Sequence, residues 1–116
     1  MRSLPEPRLG EVWSVIFDPV RGQEQGGIRP ALVLSNDAFN RLPHTLCIVV
    51  PITRTNKGIP FHIPVFPPEG GMVAPSFILC EQERSASITR FRRLMGTVDE
   101  STLRRVQEIV GKFIDR

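Results

Sequence analysis

The stretch EVWSVIFDPVRGQEQGGIRPALVLS, Glu11 to Ser35, decides the fold. Its first seven residues, EVWSVIF, are rich in β-branched and aromatic side chains and read as a strand. Asp18-Pro19 ends that strand, and a polar loop runs to Gly27. PALVLS (Pro30–Ser35) reads as a second strand, with proline at its first residue, one of the places a strand tolerates it. The loop between them, about ten residues, is longer than hairpin connections usually are. Long loops in small domains often carry function. Arg29 stands where this loop becomes apolar strand, so a permanent cation is rooted in a rigid element.

The strand pattern continues downstream. TLCIVVPIT (Thr45–Thr53) is a third strand, apolar on both faces and therefore central, with Pro51 expected at a bulge or strand end. Between the second and third strands, NDAFNR reads as a turn or short helical piece capped by Asn36 or Asp37. PFHIPVF (Pro60–Phe66), punctuated by proline, reads as an edge strand on which His62 is expected to point outward. MVAPSFILCEQ (Met72–Gln82) is a further strand, bulged at its interior proline. Beyond Gly96-Thr97 the period changes. Leu103, Val106, Ile109, Val110, Phe113 and Ile114 share one face of a helix. Asp99 is placed to cap it, and Val98 and Leu103 are placed as a hydrophobic staple. Short strands followed by one helix predict a mainly β fold, a small bent antiparallel barrel with the helix over one face.

A chain of 116 residues makes one domain the natural count. No apolar run approaches the roughly 20 residues of a membrane helix, and MRSLPEPRLG has no apolar core of a signal peptide. A cytoplasmic protein without a membrane partner is expected. The net charge is +3, but its distribution says more. From Arg84 to Arg116 there are eight basic and four acidic residues, so the basic character lies in the last third. A solvated helix face explains this, and so does an anionic partner such as nucleic acid or an acidic peptide. Cys47 and Cys80 sit in apolar runs. A disulfide between them is open, but buried and inert thiols are the expectation.

Several chemistries are disfavoured. His44 and His62 are the only histidines, neither has a cluster of Cys, Asp or Glu around it, and no metal site or cofactor is expected. Neither a G-x-S-x-G elbow nor a Walker motif occurs. A thiolate in either apolar strand run would be penalised, which disfavours a Cys-His pair. What remains is polar residues at strand ends: Glu24, Gln25 and Arg29 at the loop, Thr53 at the end of the third strand, and Glu81, Gln82, Glu83 and Arg84 after another. Each has a structural alternative. Arg29 serves equally as a surface cation, Thr53 as a strand former, Gln82 as an edge cap, and Arg84 as the partner of a neighbouring glutamate.

At this point the motifs resemble a known family. GEVWSVIFDPVRGQEQGGIRPALVLSND is similar to the opening of the MazF/PemK/Kid toxins. VVPIT resembles their site-threonine strand, ILCEQERS the segment that follows, and LMGTVDESTLRRVQEIV the closing helix. The resemblance implies one domain over residues 9–116, preceded by a leader, residues 1–8, that is disordered or touches a partner. It implies an SH3-like, bent antiparallel barrel of about five to seven strands with a C-terminal helix, paired as a homodimer. The implied activity is a metal-independent, sequence-specific endoribonuclease acting on single-stranded RNA, neutralised by an antitoxin with an acidic, disordered tail. Carried over by motif, Arg29 and Thr53 are the catalytic pair and Glu24 a further candidate participant. Gln23, Gln25, Gln82 and Arg84 are the RNA-binding candidates. Gln23 replaces a residue that is often small in the family, and Ala86 one that is often branched. Two rivals stand beside this reading. One is a gyrase-inhibiting toxin of the same fold, and the other is a binding barrel that stacks bases on aromatic side chains.

Overall fold

The structure, a computed structural model, describes residues 4–17 and 27–114. Its strands are β1 (Glu11–Phe17), β2 (Gly27–Val33), β3 (Leu46–Thr53), β4 (His62–Val65), β5 (Ser76–Leu79), β6 (Arg84–Ser87) and β7 (Phe91–Thr97). Two α-helices accompany them, α1 (Asp37–Asn40) and α2 (Glu100–Ile114). The strands run antiparallel in the order β4-β5-β3-β2-β1-β7, with β6 also on β3. β4 and β7 are ends that do not meet, so the expected barrel is an open sheet. The reason lies in β3. It pairs with β6 over Leu46–Val49 and with β5 over Ile52–Thr53, so the sheet forks there instead of closing.

Pro51 explains the fork, and corrects its expected place at a bulge or strand end. It sits inside β3, opposite Ala31 of β2. The Ile48 carbonyl accepts from Leu34 N–H on the β2 side. Successive residues of a strand point their backbone groups to opposite edges, so Pro51 faces the other edge. Its missing N–H therefore falls in the gap between the β6 and β5 pairings, where no ladder bond is lost. Pro75 also differs from expectation, since it precedes β5 instead of bulging it. β6 and β7 were not legible in the sequence, because their exposed arginines hide the alternation of a strand.

Two apolar clusters hold the sheet. One joins Val12, Leu32, Val50, Ile52, Ile63 and Ile78 to Val106 and Val110 of α2, with Leu103 and Ile109 packed beside them. Burying side chains of this size stabilises by about 1.5–3 kcal/mol each. The staple residues Val98 and Leu103 both pack on this cluster, and α2 begins directly after Asp99. The other cluster joins Val15, Phe17, Ala31, Val33, Cys47 and Val49 to Ile88 and Phe91. Both cysteines are buried and free, and burial raises each thiol to about 11.

The leader segment is tied to this body. Pro7 is buried and its carbonyl accepts from Asn40 Nδ2 at 3.3 Å, while Leu9 N–H donates to Asp37 Oδ1 at 2.9 Å. The Asn36 side chain caps α1 by accepting from Phe39 N–H, as its sequence position suggests. His62 differs from its expected outward position. It is 6% exposed, and its Nε2 lies 2.8 and 2.9 Å from the two oxygens of Glu81.

Candidate functional site

Arg29 and Thr53 come to one cleft from neighbouring strands. β1 pairs with β2 at Val15↔Arg29, and β2 with β3 at Ala31↔Pro51. The β2–β3 pairing ends at Ala31↔Pro51, two residues short of Arg29 on one strand and of Thr53 on the other. Thr53 in turn pairs with Phe77 of β5. The arginine and threonine thus stand near each other where β2 begins and β3 ends.

Both residues line a cleft of about 340 Å³. Pro30 follows Arg29 in its wall, and Ile52, Met72, Val73 and Met95 supply apolar surface. Arg54, Thr55 and Ser76 complete the polar lining. Two glycine sites bring the methionines there. The turn at Gly70-Gly71 lies against Met95-Gly96 of β7, and a Cβ on Gly96 would lie 2.7 Å from Gly71 N and 2.8 Å from Gly70 C. Gly71 itself has φ +74°, and a Cβ there would run into the Met95 carbonyl. The contact closes one wall of the cleft with backbone against backbone.

Thr53 is 5% exposed, and its Oγ1 accepts from Thr55 N–H at 3.2 Å. A hydroxyl has one proton to donate and two acceptor sites. With one acceptor site taken by the turn, the oxygen is fixed and its proton is left for a ligand. Arg29 is half-buried and supplies a planar set of donors that fits phosphate oxygens.

The other candidates are placed differently. Gln23, Glu24 and Gln25 lie outside the described residues. The loop that carries them is rooted in the paired residues Phe17 and Gly27, two positions before Arg29. Gln82 and Arg84 are not in the cleft lining. The Arg84 guanidinium lies over the Phe17 ring, 5.2 Å from its centroid, at one root of that loop. Gln82 is among the groups that hold the neighbouring Glu81 carboxyl low. Burial acts to raise the Glu81 carboxyl, but hydrogen bonds, first that of His62, outweigh it and hold the group below its ordinary range. Sequence reasoning missed Arg54, Ser76 and Met95. Arg54 is adjacent to Thr53 and was legible in principle, whereas Ser76 and Met95 arrive from segments far along the chain.

Among the described residues, no three His, Cys, Asp or Glu side chains gather as metal ligands would. Among them, too, no helix is long and apolar enough to cross a membrane.

Comparison with known proteins bears on the fold and the family. Endoribonuclease MazF9 of Mycobacterium tuberculosis is 34% identical over 113 residues, which cover 93% of this chain and 96% of the relative. A crystal structure of MazF from Deinococcus radiodurans superposes with a TM-score of 0.83 at 29% identity, covering 97% of this chain and 99% of that one. A MazE–MazF crystal structure from the same organism matches with a TM-score of 0.77 at 30% identity, over 95% of this chain and 96% of the other. The model of the PemK-like, MazF-like toxins matches residues 8–114. With nearly its whole length matched and its strand order in place, this chain belongs to the PemK-like, MazF-like toxins of type II toxin–antitoxin systems.

Proposed function

We propose that the protein is a toxin that cuts single-stranded RNA at a specific sequence without a metal ion, using Arg29 and Thr53. The observation that carries this reading is the shared cleft, with a guanidinium and an anchored hydroxyl in one lining. The 2′-hydroxyl of the RNA attacks the neighbouring phosphorus and gives up its proton. The bond from phosphorus to the 5′ oxygen breaks, and that oxygen takes up a proton. The products are a 2′,3′-cyclic phosphate and a 5′-hydroxyl. Arg29 donates to the phosphorane oxygens as their charge grows, and Thr53 donates one further hydrogen bond. Donors placed where charge develops are typically the largest contribution to such rates. An arginine is a poor base at neutral pH, so Glu24 on the adjoining loop is the candidate to accept the 2′-hydroxyl proton. Gln23, Gln25, Gln82 and Arg84 are proposed to contact RNA around the centre.

In the cell this reading makes the chain a cytoplasmic homodimer held in check by an antitoxin with an acidic, disordered tail. The MazE–MazF assemblies of relatives and the eight basic residues from Arg84 onward support it. The gyrase-directed alternative is not favoured, because a relative 34% identical over nearly the whole chain is named an endoribonuclease. Incubating purified protein with a long RNA in EDTA separates the two: cleavage is expected, and intact RNA alongside inhibited gyrase would reverse the choice.

A further inference from the structure

We infer that Arg54 is a second phosphate-holding residue, one that grips the linkage next to the scissile one and positions the strand for cutting. The inference rests on the ribonuclease reading of the cleft and extends it to a second substrate contact. Arg54 follows Thr53, the last residue of β3. Within a strand, consecutive side chains point to opposite faces. Here the strand has ended and the chain turns, so Arg54 lines the same cleft as Thr53 and Arg29. Among the described residues, the cleft lining holds these two arginines and no Asp or Glu. Arg54 is exposed, and with the other described residues it forms no ion pair or side-chain hydrogen bond. An arginine at the mouth of an acid-free cleft has nothing among those residues to neutralise it, and a nucleic acid strand brings one negative charge with every nucleotide. Arg29 already attends the reacting phosphate, so the charge at Arg54 is matched by a neighbouring one.

The role is electrostatic and positional. Arg54 does not touch the reacting atoms, so its loss weakens the grip on RNA more than it slows the chemical step. It also carries no information about base identity.

The test uses Arg54→Gln, the wild-type protein, and an RNA with a single 2′-deoxy nucleotide at the cleavage point, which binds without being cut. Lys112→Gln removes the same charge from α2, outside the cleft lining, and controls for net charge. Arg54→Gln is expected to weaken binding about tenfold. It should also flatten the slope of log affinity against log salt by roughly 0.7, the value for one phosphate contact on a single strand. KM should rise in parallel with little change in kcat, and Lys112→Gln should do neither. Neutral methylphosphonate linkages placed singly around the site then identify the phosphate. At one flanking linkage wild type loses affinity and Arg54→Gln does not. Unchanged affinity and slope in Arg54→Gln would overturn the inference. A fall in kcat with KM intact, or an altered cleavage sequence, would also overturn it, since those results make Arg54 a catalytic or a base-reading residue. If wild type neither binds nor cuts any RNA, the ribonuclease reading itself fails, and that outcome is distinct from all the others.

Discussion

Thr53 shows how much one hydroxyl depends on the turn beside it. Its oxygen is held by the N–H of Thr55, which leaves the proton to donate. Thr53→Ser keeps that arrangement and is expected to retain cleavage within about tenfold, whereas Thr53→Val keeps the shape and loses on the order of a hundredfold. Arg29→Ala is expected to lose a hundredfold or more in single-turnover cleavage while its circular dichroism is unchanged. Wild-type rates in both Thr53→Val and Arg29→Ala would remove the pair from the chemistry. The cysteines make an opposite case. With thiols raised to about 11 by burial, both are neutral at pH 8. Neither should react with an alkylating reagent in the folded protein, and both should react in denaturant. Rapid labelling under native conditions would contradict their burial. At this scale the sequence was informative where a residue type was out of keeping with its surroundings. A cation at the head of an apolar strand stands out in "GGIRPALV". Ser76 and Met95 do not stand out, because only the folded chain brings them to the cleft.

At the scale of elements, β3 read clearly because it is buried on both faces. β3 is buried at nearly every position from Cys47 to Thr53, and its β-branched run leaves little ambiguity. β7 was illegible for the opposite reason. It is an end strand whose Arg92, Arg93 and Leu94 are all exposed, so no two-residue alternation survives. The glycine at its far end nevertheless shapes the cleft. Gly96→Ala would press a methyl group into the Gly70-Gly71 backbone, where neither side is a flexible side chain that can give way. The expected loss of stability in urea unfolding is about 1–3 kcal/mol, with weaker cleavage as the Met72 and Met95 wall shifts. Gly111→Ala is the control, since a Cβ there meets nothing within 4 Å. Equal stability for the two variants would show that the turn accommodates the methyl group.

Across the whole molecule, His62 and Glu81 link β4 to the turn after β5, and the pair makes folding sensitive to acid. The Glu81 carboxyl is held below its ordinary value, so the unfolded chain binds its proton more readily than the folded one. Its contribution is fully present above the ordinary glutamate value of about 4.3 and is lost as pH falls through the lower folded value. Urea midpoints should therefore drop in that acid window, and Glu81→Gln should flatten the drop. A window unchanged in Glu81→Gln would assign the acid sensitivity to other groups. This pairing was hidden in the sequence because an isolated histidine between prolines reads as an edge residue, and nothing local shows that Glu81 folds back over it. The antiparallel β architecture and closing helix were legible from periodicity, while the fork at β3 that keeps the sheet open was not. The central claim concerns chemistry, and one measurement addresses it most directly. A long single-stranded RNA is digested in EDTA by wild type, Arg29→Ala and Thr53→Val, and the new ends are identified chemically. The account predicts discrete cuts by wild type alone, each leaving a 2′,3′-cyclic phosphate and a 5′-hydroxyl. Cuts that need added metal, or that leave a 5′-phosphate, would contradict it.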